Sequence, residues 1–134
     1  MGTTYSVKLV SIDSGTNIQS IENGIDSILV RINKQMSTWD PNSDISKFNS
    51  LRSIEPLSIS DDLAHVIENS INISKKTNGL FDITVYDLMR IWGFGPNPMA
   101  TFPKNDDIEQ ILKITGYENI NITNKKLSKD NIRI

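Results

Sequence analysis

Asp82 is the residue of this sequence to which chemistry is most readily given. It is the one carboxylate in an apolar and β-branched run, Leu80-Phe81-Asp82-Ile83-Thr84, inside residues 77–96, which also hold three of the seven glycines. An acid so placed is either held by backbone donors or offered to a ligand. Phe81 beside it, and Trp39 earlier in the chain, are aromatic surfaces that can wall or stack on a planar ring. Other patterns are weak. Gly93-Phe94-Gly95 lacks the third glycine and the strand–turn–helix setting of a dinucleotide fingerprint. No histidine pair or carboxylate cluster has metal spacing, and no nucleophile stands beside a base. His65, the single histidine, lies next to an apolar stripe without a second ligand and reads as a surface or boundary residue.

The elements that must position these residues follow from periodicity. Tyr5, Val7 and Leu9 alternate, which predicts a strand over residues 5–12. Ile18, Ile21, Ile25, Ile28, Leu29, Ile32 and Met36 recur at intervals of three and four, which predicts a long helix capped by Thr16 or Asn17, its stripe serving as core. Asp40-Pro41-Asn42 is turn chemistry, and Ser43 can cap a short helix showing Ile45 and Phe48 to the core. Residues 54–59 are short and extended, with Pro56 arguing for an edge. Ser60 caps a second main helix whose stripe is Leu63, Val66, Ile67 and Ile71, and Asn78-Gly79 supplies its left-handed stop. Thr84 can cap a short helix with Val85, Leu88, Met89 and Trp92 on one face, ended by Gly93, Gly95 and Pro96. A Pro-rich loop leads to a third main helix, capped by Asn105 or Asp106 and running through Thr115 to Gly116. Residues 119–122 and 127–134 then read as a hairpin.

The totals bound the reading. A chain of 134 residues fits one domain, and a net charge of −2 gives no electrostatic case for nucleic acid. The absence of cysteine excludes disulfides and thiolate chemistry. No apolar run approaches the roughly 20 residues of a membrane span, and these residues show no signal segment.

Three stretches together resemble one family. Gly79-Leu80-Phe81-Asp82-Ile83-Thr84-Val85, with Leu88 and Trp92-Gly93-Phe94-Gly95, resembles the G-x-F-D-x-T-V…L…W-G-F-G signature of the ApbE family, the FAD:protein FMN transferases. Met1-Gly2-Thr3-Thr4-Tyr5 resembles its M-G-T-x-Y opening. Residues 37–49 resemble its S-T-[YWF]-x-x-x-S-E-I-S-x-[FL]-N motif, with Asp44 where glutamate is usual. Three motifs in the family's order make the resemblance specific.

The resemblance implies an α+β (α/β) fold of short, mostly antiparallel strands packed with three main helices, residues 1–134 forming the amino-terminal portion of one ApbE-like domain. It implies Mg-dependent transfer of FMN from FAD to a threonine or serine hydroxyl of an acceptor protein. By carry-over, Met1, Trp39, Leu80, Phe81 and Asp82 contact FAD. The family's further D-[IL]-G-G-[IV]-A-K-G-like motif and its metal-holding aspartate and threonine have no counterpart in these residues. No catalytic or metal residue is therefore assigned, and the 134 residues alone are expected to lack turnover and to self-associate. The family further implies an exported protein, periplasmic or anchored to the bacterial inner membrane. The alternatives are a FAD-binding module or FAD pyrophosphatase-like protein without transferase activity, and an interaction domain docking through residues 91–94.

Overall fold

A computed structural model describes residues 4–132; Met1, expected at the site, lies outside them. Three of its five helices start where short polar side chains take up orphan backbone donors. The Asn17 carboxamide accepts from the N–H of Ser20 at 3.0 Å and opens α1 (Ile18–Met36). The Ser43 hydroxyl does the same for Ser46 at 3.1 Å, opening α2 (Asp44–Ser50), and Ser60 opens α3 (Asp61–Lys76). At the end of α3, Asn78 and Gly79 take φ of 50° and 79°, the left-handed stop read from their types, and the Gly79 N–H closes on the Ser74 carbonyl at 2.9 Å. Two shorter helices follow, α4 (Tyr86–Ile91) and α5 (Asn105–Leu112).

The strands β1 (Leu57–Ser58), β2 (Ile120–Thr123) and β3 (Lys126–Lys129) form one antiparallel sheet in the order β1-β3-β2. Asn124 and Lys125 join β2 to β3 with φ of 51° and 58°, the paired positive values of a type I′ turn that matches strand twist. Leu127 of β3 stands opposite both Leu57 and Ile122, and it is fully buried. Against it pack Leu63, Ala64, Ile67 and Ile71 of α3, Phe48 of α2, Ile59 and Ile120. Helix α3 is thus the one main helix that buries most of its apolar stripe, with Val66 alone of the four expected residues left exposed.

Several expectations fail for physical reasons. Residues 5–12 alternate as a strand should, yet among the described residues they have no ladder partner. Ser11 turns to φ 56°, and Tyr5, Val7, Leu9, Val10 and Ile12 stay exposed. A strand needs a neighbour as well as a pattern. The segment instead leans on α1, where the Tyr5 hydroxyl donates to the Asp26 carboxylate at 2.6 Å. Helix α1 forms over its expected span, but none of its residues is buried, so its stripe is a half-covered flank rather than core. The third main helix starts one residue early, with Lys104 at its cap and the Asp107 carboxylate accepting the Lys104 N–H, and it stops at Leu112. The last strand ends at Lys129.

Thr84 does not cap α4; Val85 holds that position without a side-chain bond. Its hydroxyl is used elsewhere. One Asp82 carboxylate oxygen accepts from the Thr84 N–H at 2.8 Å and from its hydroxyl at 2.7 Å. The other accepts from the Tyr117 N–H at 2.8 Å, 35 residues along the chain. The Thr84 hydroxyl oxygen in turn accepts from the Gly116 N–H at 2.7 Å. Gly116 has φ 151°, and a Cβ there would stand 3.0 Å from the Glu118 carboxylate, so glycine is required at this junction.

On β3, strand alternation puts Lys129 on the same inner face as Leu127, and it is 1% exposed. Its ammonium reaches the Phe48 carbonyl in the last turn of α2 at 3.3 Å and lies 5.1 Å from the centre of the Phe48 ring. The carbonyl end of a helix and an aromatic face both favour a cation. Burial first, and the charge of Arg52 second, lower the Lys129 pKa below its ordinary 10.5.

Two stability predictions follow from these bonds. A base with a depressed folded pKa holds its proton more weakly folded than unfolded, so stability rises as pH climbs towards the ordinary lysine value of 10.5. Tyr5, held by its bond to Asp26, and Tyr117, by desolvation, have pKa values raised above 10.0, which reverses the trend at higher pH. Urea midpoints are expected to show this rise in the wild type and a flatter profile in Lys129→Met; parallel profiles would refute the assignment. Thr84→Val strands the Gly116 N–H and removes a donor from Asp82, which is expected to cost about 1–3 kcal/mol. An unchanged urea midpoint in that variant would show that the junction contributes nothing.

Candidate functional site

The polar knot after α1 sets the first wall of the site. The buried Ser43 hydroxyl donates to the Ser37 carbonyl at 2.7 Å, and the Ser46 hydroxyl reaches the same carbonyl at 3.2 Å. Asp40 accepts from the Asn42 N–H at 2.9 Å. These bonds pin the loop from both ends and leave Trp39 standing out of it, 65% exposed. An indole left so open on a rigid loop is not serving the core.

Trp39 borders a cavity of about 710 Å³. Ile45 and Phe48 of α2, Leu63, Val66 and Ile67 of α3, Tyr86 at the start of α4 and Phe94 just beyond its end line it. Ile83 and Thr84, Ile114 and Thr115 form a further side. That side is the pair of segments that Asp82 ties together through Thr84 and Tyr117. A mostly apolar cleft with a few placed polar groups, large enough for a sizeable organic ligand, is the ordinary form of a small-molecule site.

The charged lining is sparse. Asp87 is held by Arg90, Nε to Oδ1 at 3.2 Å, which leaves Arg52 as the other charged side chain on the wall. Among the described residues, no three histidine, cysteine, aspartate or glutamate side chains stand together in a group that could hold a metal ion. These residues do not fit a magnesium site, and no step is derived through one. His65 meets the carboxamide of Asn69 at 3.0 Å on the exposed side of α3.

The expected site residues are only partly brought together. Trp39 lines the cavity. Asp82 sits behind its wall with both carboxylate oxygens already accepting, so of the two readings left open by the sequence the backbone-held one describes its present bonds. Leu80, 93% exposed, and Phe81, 43% exposed, face outward and do not line the cavity. Tyr86 and Arg52 line it without having been singled out, and so does Phe94, named only within its motif and as part of a docking stretch. Phe94 lay within the Trp92-Gly93-Phe94-Gly95 motif and was there to be found. Arg52, between a helix end and a short strand, carried no signal.

The chain has clear relatives. The model of the ApbE family matches residues 1–134. A FAD:protein FMN transferase of Vibrio cholerae serotype O1 is 34% identical over 131 residues, which are 97% of this chain and 39% of that protein. A protein of the same name from Buchnera aphidicola subsp. Baizongia pistaciae is 36% identical over 123 residues, 91% of this chain and 36% of its own. Among solved structures, the flavin transferase ApbE from Vibrio cholerae superposes with a TM-score of 0.87 at 32% identity, over 91% of this chain and 40% of that one. The apo form of Pseudomonas stutzeri flavinyl transferase ApbE gives 0.82 at 27% identity, over 88% and 40%. This chain spans about two fifths of the length of the curated relatives it matches. Its α+β architecture of helices around a small antiparallel sheet is theirs, and with a family match over its whole length the chain belongs to the ApbE family.

Proposed function

We propose that this chain is the amino-terminal, FAD-binding portion of a FAD:protein FMN transferase. The observation that carries the reading is the aromatic cleft bordered by Trp39, Tyr86 and Phe94, its wall braced by Asp82, in a chain whose relatives bear that name. In the transfer, the hydroxyl oxygen of an acceptor threonine or serine attacks the FMN phosphorus. The pyrophosphate P–O bond breaks, AMP leaves, and the hydroxyl proton passes to a base. Catalysis of such a step is mostly positioning and electrostatics.

The share of that work assigned to these residues is binding and orientation. Trp39 and Phe94 offer exposed ring faces to a planar group, and the apolar lining excludes water from one side of it. Asp82 keeps the wall in register; any bond it makes to an adenine amine or a ribose hydroxyl adds to those it already accepts. Met1, Leu80 and Phe81 stay with the proposal as flavin contacts from the family motif, Leu80 and Phe81 reaching a ligand that extends beyond the cavity. The magnesium requirement and the catalytic base are assigned to residues outside these 134. The acceptor is a protein presenting a threonine or serine. The same reading makes the whole protein an exported one, periplasmic or anchored to the inner membrane; no helix among the described residues is long and apolar enough to cross a membrane.

The surface supports a further part of the proposal. The chain exposes 9642 Å², against the roughly 7,100 Å² that a compact monomer of 15.1 kDa presents. The flank of α1, residues 5–12 and the open sheet edges at β1 and β2 are apolar or unpaired. Self-association of the 134-residue chain is therefore proposed, and sedimentation showing a clean monomer at high concentration would count against it.

Calorimetric titration with FAD tests the main reading. The wild-type chain is expected to bind FAD, and Trp39→Ala to weaken it by about 1–2 kcal/mol, roughly five- to thirtyfold. Binding without FMN transfer to a threonine-bearing acceptor is the expected behaviour of these residues alone. No binding by the wild type would overturn the proposal.

A further inference from the structure

We propose that Arg52 is the residue that receives a phosphate of the flavin nucleotide at the cavity. The inference rests on the flavin reading of that cleft and adds to it a contact chosen by charge. FAD is an anion, yet the chain carries a net charge of −2, so any attraction must come from a local arrangement. Of the two charged side chains on the wall, Asp87 is already held by Arg90. Arg52 is exposed, and among the described residues no carboxylate lies within ion-pair distance of it.

The guanidinium is also held in place. One Nη donates to the Ile132 carbonyl at 3.2 Å, bridging 80 residues of sequence, and this uses one of its five N–H donors. The rest of the fork stays available for the paired donation to phosphate oxygens that arginine makes and lysine does not. A second cation, Lys129, is buried and does not line the cavity. The charge of Arg52 helps to lower its pKa, and it holds the carbonyl of Phe48, a residue that lines the cavity. Arg52 gives the aromatic cleft one positive side chain, unpaired with any carboxylate among the described residues and suited to a ligand with a flat ring and a phosphate chain. Trp39 and Phe94 take the ring, and Arg52 takes the chain.

Comparing two ligands that share a ring separates this role from a structural one. FAD carries the pyrophosphate, whereas riboflavin presents the same isoalloxazine without phosphate. With the full 134-residue chain, Arg52→Gln is expected to weaken FAD at least tenfold and to leave riboflavin within twofold. FAD affinity of the wild type, but not of the variant, is expected to fall as salt is raised. Arg52→Lys, which keeps the charge and loses the fork, is expected to fall between the two. A parallel loss for both ligands would show that Arg52 only supports the fold, and would overturn the assignment. Unchanged FAD affinity in Arg52→Gln would overturn it as well, while leaving the flavin reading intact. Wild-type protein that binds neither ligand would remove the flavin reading itself, and this contact with it.

Discussion

A single carboxylate joins the parts of this protein that face the cleft. Asp82 lies just after the left-handed end of α3 and accepts from residues on two segments far apart in sequence, Thr84 beside it and Tyr117 beyond α5. Without that bridge, no polar bond among the described residues joins the stretch that turns into α4 to the stretch that turns into β2 beyond the Thr84–Gly116 contact, which depends on the same hydroxyl. The bridge is partly buried, where charge-assisted bonds to N–H groups are stronger than in water and an unmade one is costly. Ile83 and Thr84 on one side, and Ile114 and Thr115 on the other, form a continuous wall because of it. An acid in an apolar run thus has a structural task that places it beside a ligand site.

Local rules in the sequence were followed closely wherever a few neighbouring residues decide the outcome. Asn17, Ser43 and Ser60 cap the helices they precede, and Asn78-Gly79 ends α3, because capping is settled within three or four residues. Leu63, Ile67 and Ile71 of the α3 stripe are likewise inside, while Val66 stays 45% exposed. What the sequence left hidden depends on distant partners. Residues 5–12 have the alternation of a strand and, among the described residues, no strand to pair with, and α1 has a core-like stripe that its neighbours α2 and α3 cover only in part. Thr84 was a plausible cap by type, but Asp82 and Gly116 claim its hydroxyl first.

The site shows the same division. The motif around Asp82 and the aromatic at Trp39 were visible as residue types, and the structure brings Trp39 to the cavity with Asp82 behind its wall. The left-handed stop at Asn78-Gly79 was visible, but the outward turn of Leu80 and Phe81 after it was not, because it also depends on the Phe81 N–H bonding to the Thr77 hydroxyl at 3.2 Å. Arg52 had no pattern around it at all. Its place on the wall depends on the end of α2 and on Ile132, contacts that span most of the chain.

Lys129 shows how far the electrostatics of this small core depend on one helix end. Alternation along β3 calls for an apolar residue at that position, and a lysine there would ordinarily reach out to water. It points inward to the carbonyl end of α2, where the Phe48 oxygen, which already accepts the Leu51 N–H at 3.2 Å, takes a second bond from the ammonium, and the ring of the same residue lies beneath it. Phe48 also lines the cavity, so the group that compensates the buried charge is a group a ligand would rest on. Stability and site geometry therefore share one residue. A change that moved Phe48 would disturb the cation and the cleft together, whereas removal of the cation alone leaves the ring in an apolar setting that suits it.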